Sequence, residues 1–129
     1  MDLALAHVEL AVPEDAESVR HARHFVRAQL HRWSLSSNVV GDAVLLASEL
    51  VTNALRHGSP PRQLELELSP DRLFIAVRDA GAGRPRLSLP VNDQEGGRGL
   101  ALLDALSTAW GTEARPKDGK LVWCELALG

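Results

Sequence analysis

Apolar and polar positions alternate over residues 3–10 (LALAHVEL), the period of a half-buried strand. After Pro13 the period lengthens. Val19, Ala22, Val26, Leu30 and Trp33 fall on one stripe at helical spacing, behind Glu14, Asp15 and Glu17 and among Arg20, Arg23, Arg27 and Arg32. Acid first and base last suits the helix macrodipole, so the pattern predicts a helix opened by Pro13, with a solvated basic face or a partner-binding one. Ser36, Ser37 or Asn38 can cap a second helix running to about His57. Its wide apolar face is Val40, Ala43, Val44, Ala47, Leu50, Val51, Ala54 and Leu55, and Asp42, Glu49, Asn53 and Arg56 lie on another side. Gly58 reads as a C′ stop, and Pro60-Pro61 cannot continue a helix.

The period then shortens again. QLELELS (63–69) alternates strictly, SPDR turns, and LFIAVRD (73–79) returns, which predicts a hairpin. DAGAGRP leaves that strand in a glycine-rich loop, and no period is visible from Arg84 to Glu95. Gly96-Gly97-Arg98-Gly99 leads into a third helix, LALLDALSTAW, followed by strands near 109–115 and 120–128 around PKDGK. Strands that arrive in pairs make a largely antiparallel mixed sheet rather than a doubly wound parallel one. The predicted class is α+β, a two-layer α/β sandwich with three amphipathic helices on one face.

Composition narrows the setting. At 129 residues the chain is expected to form one domain, 1–129, and the 45% hydrophobic and 24% charged content is that of a globular protein. A net charge of −3 calls for neither direct nucleic-acid contact nor a membrane surface. One cysteine, Cys124, allows no internal disulfide and fits a reducing, cytoplasmic setting; alternation in the last strand buries it as a small hydrophobe. The N-terminus lacks the basic region of a signal peptide, and no apolar run reaches the roughly 20 residues of a membrane span.

Three clusters carry chemistry. Glu49 and Asn53, four apart in ELVTNALRHG (49–58), share a helix face; a carboxylate can act as a base and an amide oxygen can hold Mg²⁺. A solvated helix face would read the same way. Asp79-Ala80-Gly81-Ala82-Gly83 puts a carboxylate at a strand end, where it can accept from an exocyclic amine such as adenine N6, beside glycines that let a flat ligand approach; an Asx turn is the plain alternative. Gly96-Gly97-Arg98-Gly99-Leu100 ahead of a helix offers bare N–H groups and a cation to a phosphate, or is simply a flexible loop.

In this order the clusters resemble the GHKL ATPases, the group of gyrase, MutL and the histidine kinases. ELVTNALRH resembles the N box, DAGAG the G1 box and GGRGL the G2 box. VRHARHFVRAQL, GGRGLALLDALSTAWG and GKLVWCEL extend the likeness over nearly the whole chain toward the stand-alone anti-sigma factor serine kinases of the SpoIIAB and RsbW kind. The resemblance implies a Bergerat-type ATP-binding fold, with ATP and Mg²⁺ as cofactors. It implies Glu49 as the catalytic base, Asn53 as the metal ligand, Asp79 on the adenine amino group with Gly81 and Gly83 beside it, and Gly97, Arg98, Gly99 and Leu100 at the phosphates. Arg56 would touch a phosphate or be a plain surface residue, and His57 would line the nucleotide or merely end the helix. The implied partners are a sigma factor and an anti-anti-sigma protein of STAS type, with a homodimer as a family expectation. A non-catalytic sequestration module and a free ATPase remain the alternatives. The likeness departs at Lys120 and Leu121, where the family often has a Thr near adenine, in the loop 84–95, which lacks a Thr-rich lid, and at Glu95, where some members are basic.

Overall fold

The computed structural model describes residues 4–81, 98–115 and 119–129. The elements run β1 (Ala6–Ala11), α1 (Ser18–Arg32), α2 (Ser37–His57), β2 (Arg62–Leu68), β3 (Arg72–Asp79), α3 (Arg98–Leu106), β4 (Ala109–Arg115) and β5 (Gly119–Ala127). The strands form one sheet in the order β1-β2-β3-β5-β4. Among the described residues every pairing is antiparallel, so the expected mixed character is absent from them. The α+β sandwich is otherwise as the pattern predicts.

Register assigns the two faces. Leu64 and Leu66 on β2, Leu73, Ile75 and Val77 on β3, and Val122, Cys124 and Leu126 on β5 point to the helical side and join one core with α2. The α2 contribution is the predicted set, of which Leu55 is only partly buried, together with Leu46, fully buried but outside the predicted stripe. Helix α1 lies on α2 through Ala22, Val26 and Leu30. Arg23, expected on a solvated face, donates from Nε and Nη2 to Ser48 Oγ at 3.0 and 2.9 Å and ties the two helices together.

Three local readings are corrected. Helix α1 starts at Ser18, with Glu17 as its N-cap, rather than at Pro13. Asp15 Oδ1 accepts from Glu17 N–H at 2.7 Å and Ser18 Oγ donates to the Pro13 carbonyl, so side chains close a turn where helical hydrogen bonds would have started. Helix α3 ends at Leu106, because Thr108 N–H is taken by the Glu125 carbonyl at 2.8 Å as β4 joins the sheet. Gly58 ends α2 in extended backbone (φ −99°, ψ −178°), not in the left-handed form of a C′ glycine. It is small for another reason: a Cβ there would lie 2.6 Å from the Asp79 carboxylate and 2.7 Å from the Ala54 carbonyl oxygen.

The other sheet face carries His7, Glu9, Glu65 and Glu67 in adjacent register. It also carries Phe74 stacked on Trp123 at 5.9 Å between ring centroids. Arg78 Nη2 meets Glu65 at 3.3 Å and Gln63 donates to Glu9 at 2.6 Å. On the core side, burial pushes the Cys124 thiol up to about 12, with Glu125 adding to the shift.

Two outcomes follow. Leu46→Ala removes a fully buried side chain and should lower the unfolding free energy by about 2–5 kcal/mol in a urea titration. The His7 ring is held above its ordinary value of 6.5, first by its hydrogen bond to Glu9 and then by the charges of Glu65, Glu9 and Glu67, against the opposing effect of burial. A raised value favours the protonated folded form, so this contribution is full below 6.5 and fades as pH rises through the folded value. The ring is exposed, so the effect is small. His7→Gln should flatten the fall in thermal midpoint across that window.

Candidate functional site

The last turn of α2 leaves carbonyl oxygens with no partner inside the helix, and its dipole makes that end negative. Two buried cations from the sheet answer it. Arg62, at the start of β2 and 3% exposed, donates from Nη2 to the Gly58 carbonyl at 2.9 Å and from Nε to the Ala54 carbonyl at 2.8 Å, which also accepts from the Gly58 N–H at 2.8 Å, with Glu14 at 3.1 Å on Nη2. Lys120, at the start of β5 and 7% exposed, donates from Nζ to the His57 carbonyl at 3.0 Å. Sequence reading missed Arg62 altogether. Its signal was faint: a cation four residues beyond Gly58, opening an otherwise clean strand.

Asp79 ends β3 beside this helix end and is 6% exposed. Its Oδ1 accepts from Gly81 N–H at 2.7 Å and Ser59 N–H at 3.2 Å, and Ala80 N–H donates to the Ser59 carbonyl at 2.9 Å. The loops leaving α2 and β3 are thus laced together through one carboxylate. Gly119, directly before Lys120, has φ +87°, and a Cβ there would overlap the Asp79 carbonyl oxygen, so β5 reaches Asp79 only as glycine.

These elements wall a cleft. Asn53 and His57 come from α2, Asp79 from β3 and Lys120 from β5, over an apolar floor of Leu50, Val77 and Val122. About 10 Å³ is free between the walls among the described residues, room for one water. Asn53 Oδ1 is buried and accepts no hydrogen bond among the described residues. An oxygen acceptor left in that state fits a hard cation such as Mg²⁺.

The sequence candidates divide accordingly. Asn53, His57 and Asp79 share the cleft, with buried Gly81 beside Asp79. Glu49 is one turn back on α2, half-buried, and does not line the described cleft; Arg56 is exposed. Arg98, Gly99 and Leu100 form the first turn of α3, a helix beginning two residues earlier than the pattern predicts, and their side chains lie outside the description. Gly83, Gly97, Glu95 and the loop 84–95 lie outside the described residues.

An antiparallel sheet backed by three helices, with a carboxylate and an amide oxygen gathered at one end of its longest helix, is an α/β sandwich of the histidine-kinase ATPase type. Comparison with known families agrees. The family described as histidine kinase-like ATPase domain matches residues 12–124, and the chain belongs to it. Serine-protein kinase RsbW of Staphylococcus epidermidis is 29% identical, across 78% of this chain and 74% of that protein, and the same figures hold for two individual strains of the species. Among solved structures, the histidine kinase domain of the Erythrobacter litoralis EL346 blue-light activated histidine kinase superposes with a TM-score of 0.52 at 29% identity. That match covers 69% of this chain, and the chain spans only 44% of that structure's length.

Arg62→Met should lower stability by about 1–3 kcal/mol, because it leaves the Gly58 carbonyl without its cation and takes the second donor from the Ala54 carbonyl, which keeps the Gly58 N–H. Denaturant unfolding would measure it, and a change below about 0.5 kcal/mol would remove Arg62 from the capping role.

Proposed function

We propose that the chain is an ATP-binding regulatory protein, one histidine-kinase-like domain acting in the cytoplasm. In this reading it sequesters a sigma factor and phosphorylates a serine on an anti-anti-sigma partner of STAS type. The carrying observation is that the orphaned Asn53 Oδ1 and the buried Asp79 carboxylate share one cleft, with Glu49 one turn away from Asn53. The similarity to a serine-protein kinase supports the same class.

Asp79 would accept from the adenine amino group, its geometry fixed by Ser59 and Gly81. Asn53 would hold Mg²⁺ through Oδ1. Gly81 and Gly83 would pass the nucleotide, and Gly97, Arg98, Gly99 and Leu100 would meet the phosphates with N–H groups at the start of α3 and the Arg98 charge. His57 would line the base side, and Arg56 would lie toward the phosphates. Bound Mg-ATP supplies the transferable phosphoryl group. Glu49 would take the proton from the serine hydroxyl as its oxygen bonds to the γ-phosphorus, and the bond to ADP breaks.

One observation favours a second reading. Glu49 stands off the described cleft wall, which suits a nucleotide-dependent sequestration module that performs no transfer.

Calorimetric titration with Mg-ATP tests both. The wild type should bind, and Asp79→Asn, which keeps an acceptor for Ser59 and Gly81 but turns an amide toward the base, should lose at least about tenfold in affinity, or about 1.4 kcal/mol. Glu49→Gln should bind as the wild type does and lose phosphotransfer to a STAS-type protein. Turnover that survives the substitution would exclude Glu49 as the base. Binding without turnover in the wild type would select the sequestration reading.

A further inference from the structure

We infer that Lys120 is a specificity residue that reads the purine edge beside Asp79, donating directly to the N1 acceptor of adenine. The inference rests on the nucleotide-binding reading above and adds to it a residue and a base preference.

Asp79 and Lys120 are register partners on adjacent strands, β3 and β5, so their side chains leave the sheet on the same helical side. Both are buried, at 6% and 7% exposure, and both line the cleft. They converge: a Cβ placed on Gly81 would lie 2.9 Å from Asp79 Oδ1, 3.1 Å from Lys120 Cε and 3.3 Å from Lys120 Nζ. An acceptor and a donor therefore border one point beside a bare stretch of backbone.

The valences are available. An ammonium carries three N–H donors and no acceptor, and among the described residues Lys120 spends one on the His57 carbonyl. That bond fixes Nζ in the cleft and leaves donors for a ligand. A carboxylate accepts at about four lone-pair sites, and the backbone N–H groups of Ser59 and Gly81 both fall on Oδ1. Adenine presents a donor, N6, next to an acceptor, N1, which complements Asp79 next to Lys120. Guanine in the same pose would set O6 against the carboxylate and N1–H against the ammonium, two mismatches at buried charged groups. Charge assistance makes both adenine contacts stronger than neutral ones.

The plain alternative is that Lys120 only caps α2. The two roles separate in a cycle that crosses one variant with one altered base. The probes are ATP and 1-deaza-ATP, which lacks the N1 acceptor, titrated with Mg²⁺ into wild type and Lys120→Met, with a thermal melt for each protein. If Lys120 reads N1, the wild type prefers ATP by at least about tenfold. Lys120→Met then binds the two nucleotides alike, near the wild-type affinity for 1-deaza-ATP. GTP should bind the wild type at least about a hundredfold more weakly than ATP. A cap alone predicts a lower melting temperature with the ATP preference unchanged, and that result overturns the inference. Equal wild-type affinity for ATP and 1-deaza-ATP also overturns it, and this half of the cycle needs no variant to fold. ATP binding without an N1 preference leaves the nucleotide reading standing, whereas no Mg-ATP binding to the wild type removes both.

Discussion

The structure turns on the last turn of α2. Burying a helix end without partners costs free energy for each orphaned carbonyl, and this end is packed against the sheet. Arg62 and Lys120 meet that cost from β2 and β5, on opposite sides of β3. Because both cations are strand residues, satisfying the helix fixes where the sheet sits beneath it. Asp79 then falls between them, on the strand paired with both. Positions that look like ligand chemistry are thus held by the same bonds that hold the fold.

Buried cations are costly unless paired, and here helix-end carbonyls, which also carry the negative pole of the dipole, do much of the pairing. The result is a polar wall at one end of an otherwise aliphatic core of Leu, Val, Ile and Ala. Polar groups that a core would exclude are kept at that one end, beside an apolar floor that can accept a flat ring.

Most of the fold was legible because it rests on periodicity. Strict alternation in QLELELS and LFIAVRD maps directly onto β2 and β3, and the α2 stripe is nearly the observed core set. The errors sit where local side chains or distant strands override the period. Asp15 and Ser18 close a turn that delays α1, and β5 draws Thr108 out of a helical pattern. The small size of Gly58 was legible but its cause was not, since nothing in the local sequence reveals a carboxylate arriving from twenty-one residues downstream. At the candidate site, residue type and spacing singled out Asn53 and Asp79, and the fold brings the two to one cleft. Arg62 and the inward face of Lys120 were not, because their partners are backbone carbonyls, which leave no trace in a side-chain pattern.

The two caps differ in how far along the chain they reach. Arg62 closes on Ala54 over eight residues, a short loop that forms at little entropic cost. Lys120 reaches His57 across sixty-three, and only after β5 has paired with β3. Loop closure therefore orders the assembly of this end: the Arg62 side can form with the first hairpin, and the Lys120 side waits for the last strand. By the same count the cleft's β5 wall is the last to arrive, and because β5 lies between β3 and β4 and carries Val122, Cys124 and Leu126, the strand that closes the cleft also completes the core.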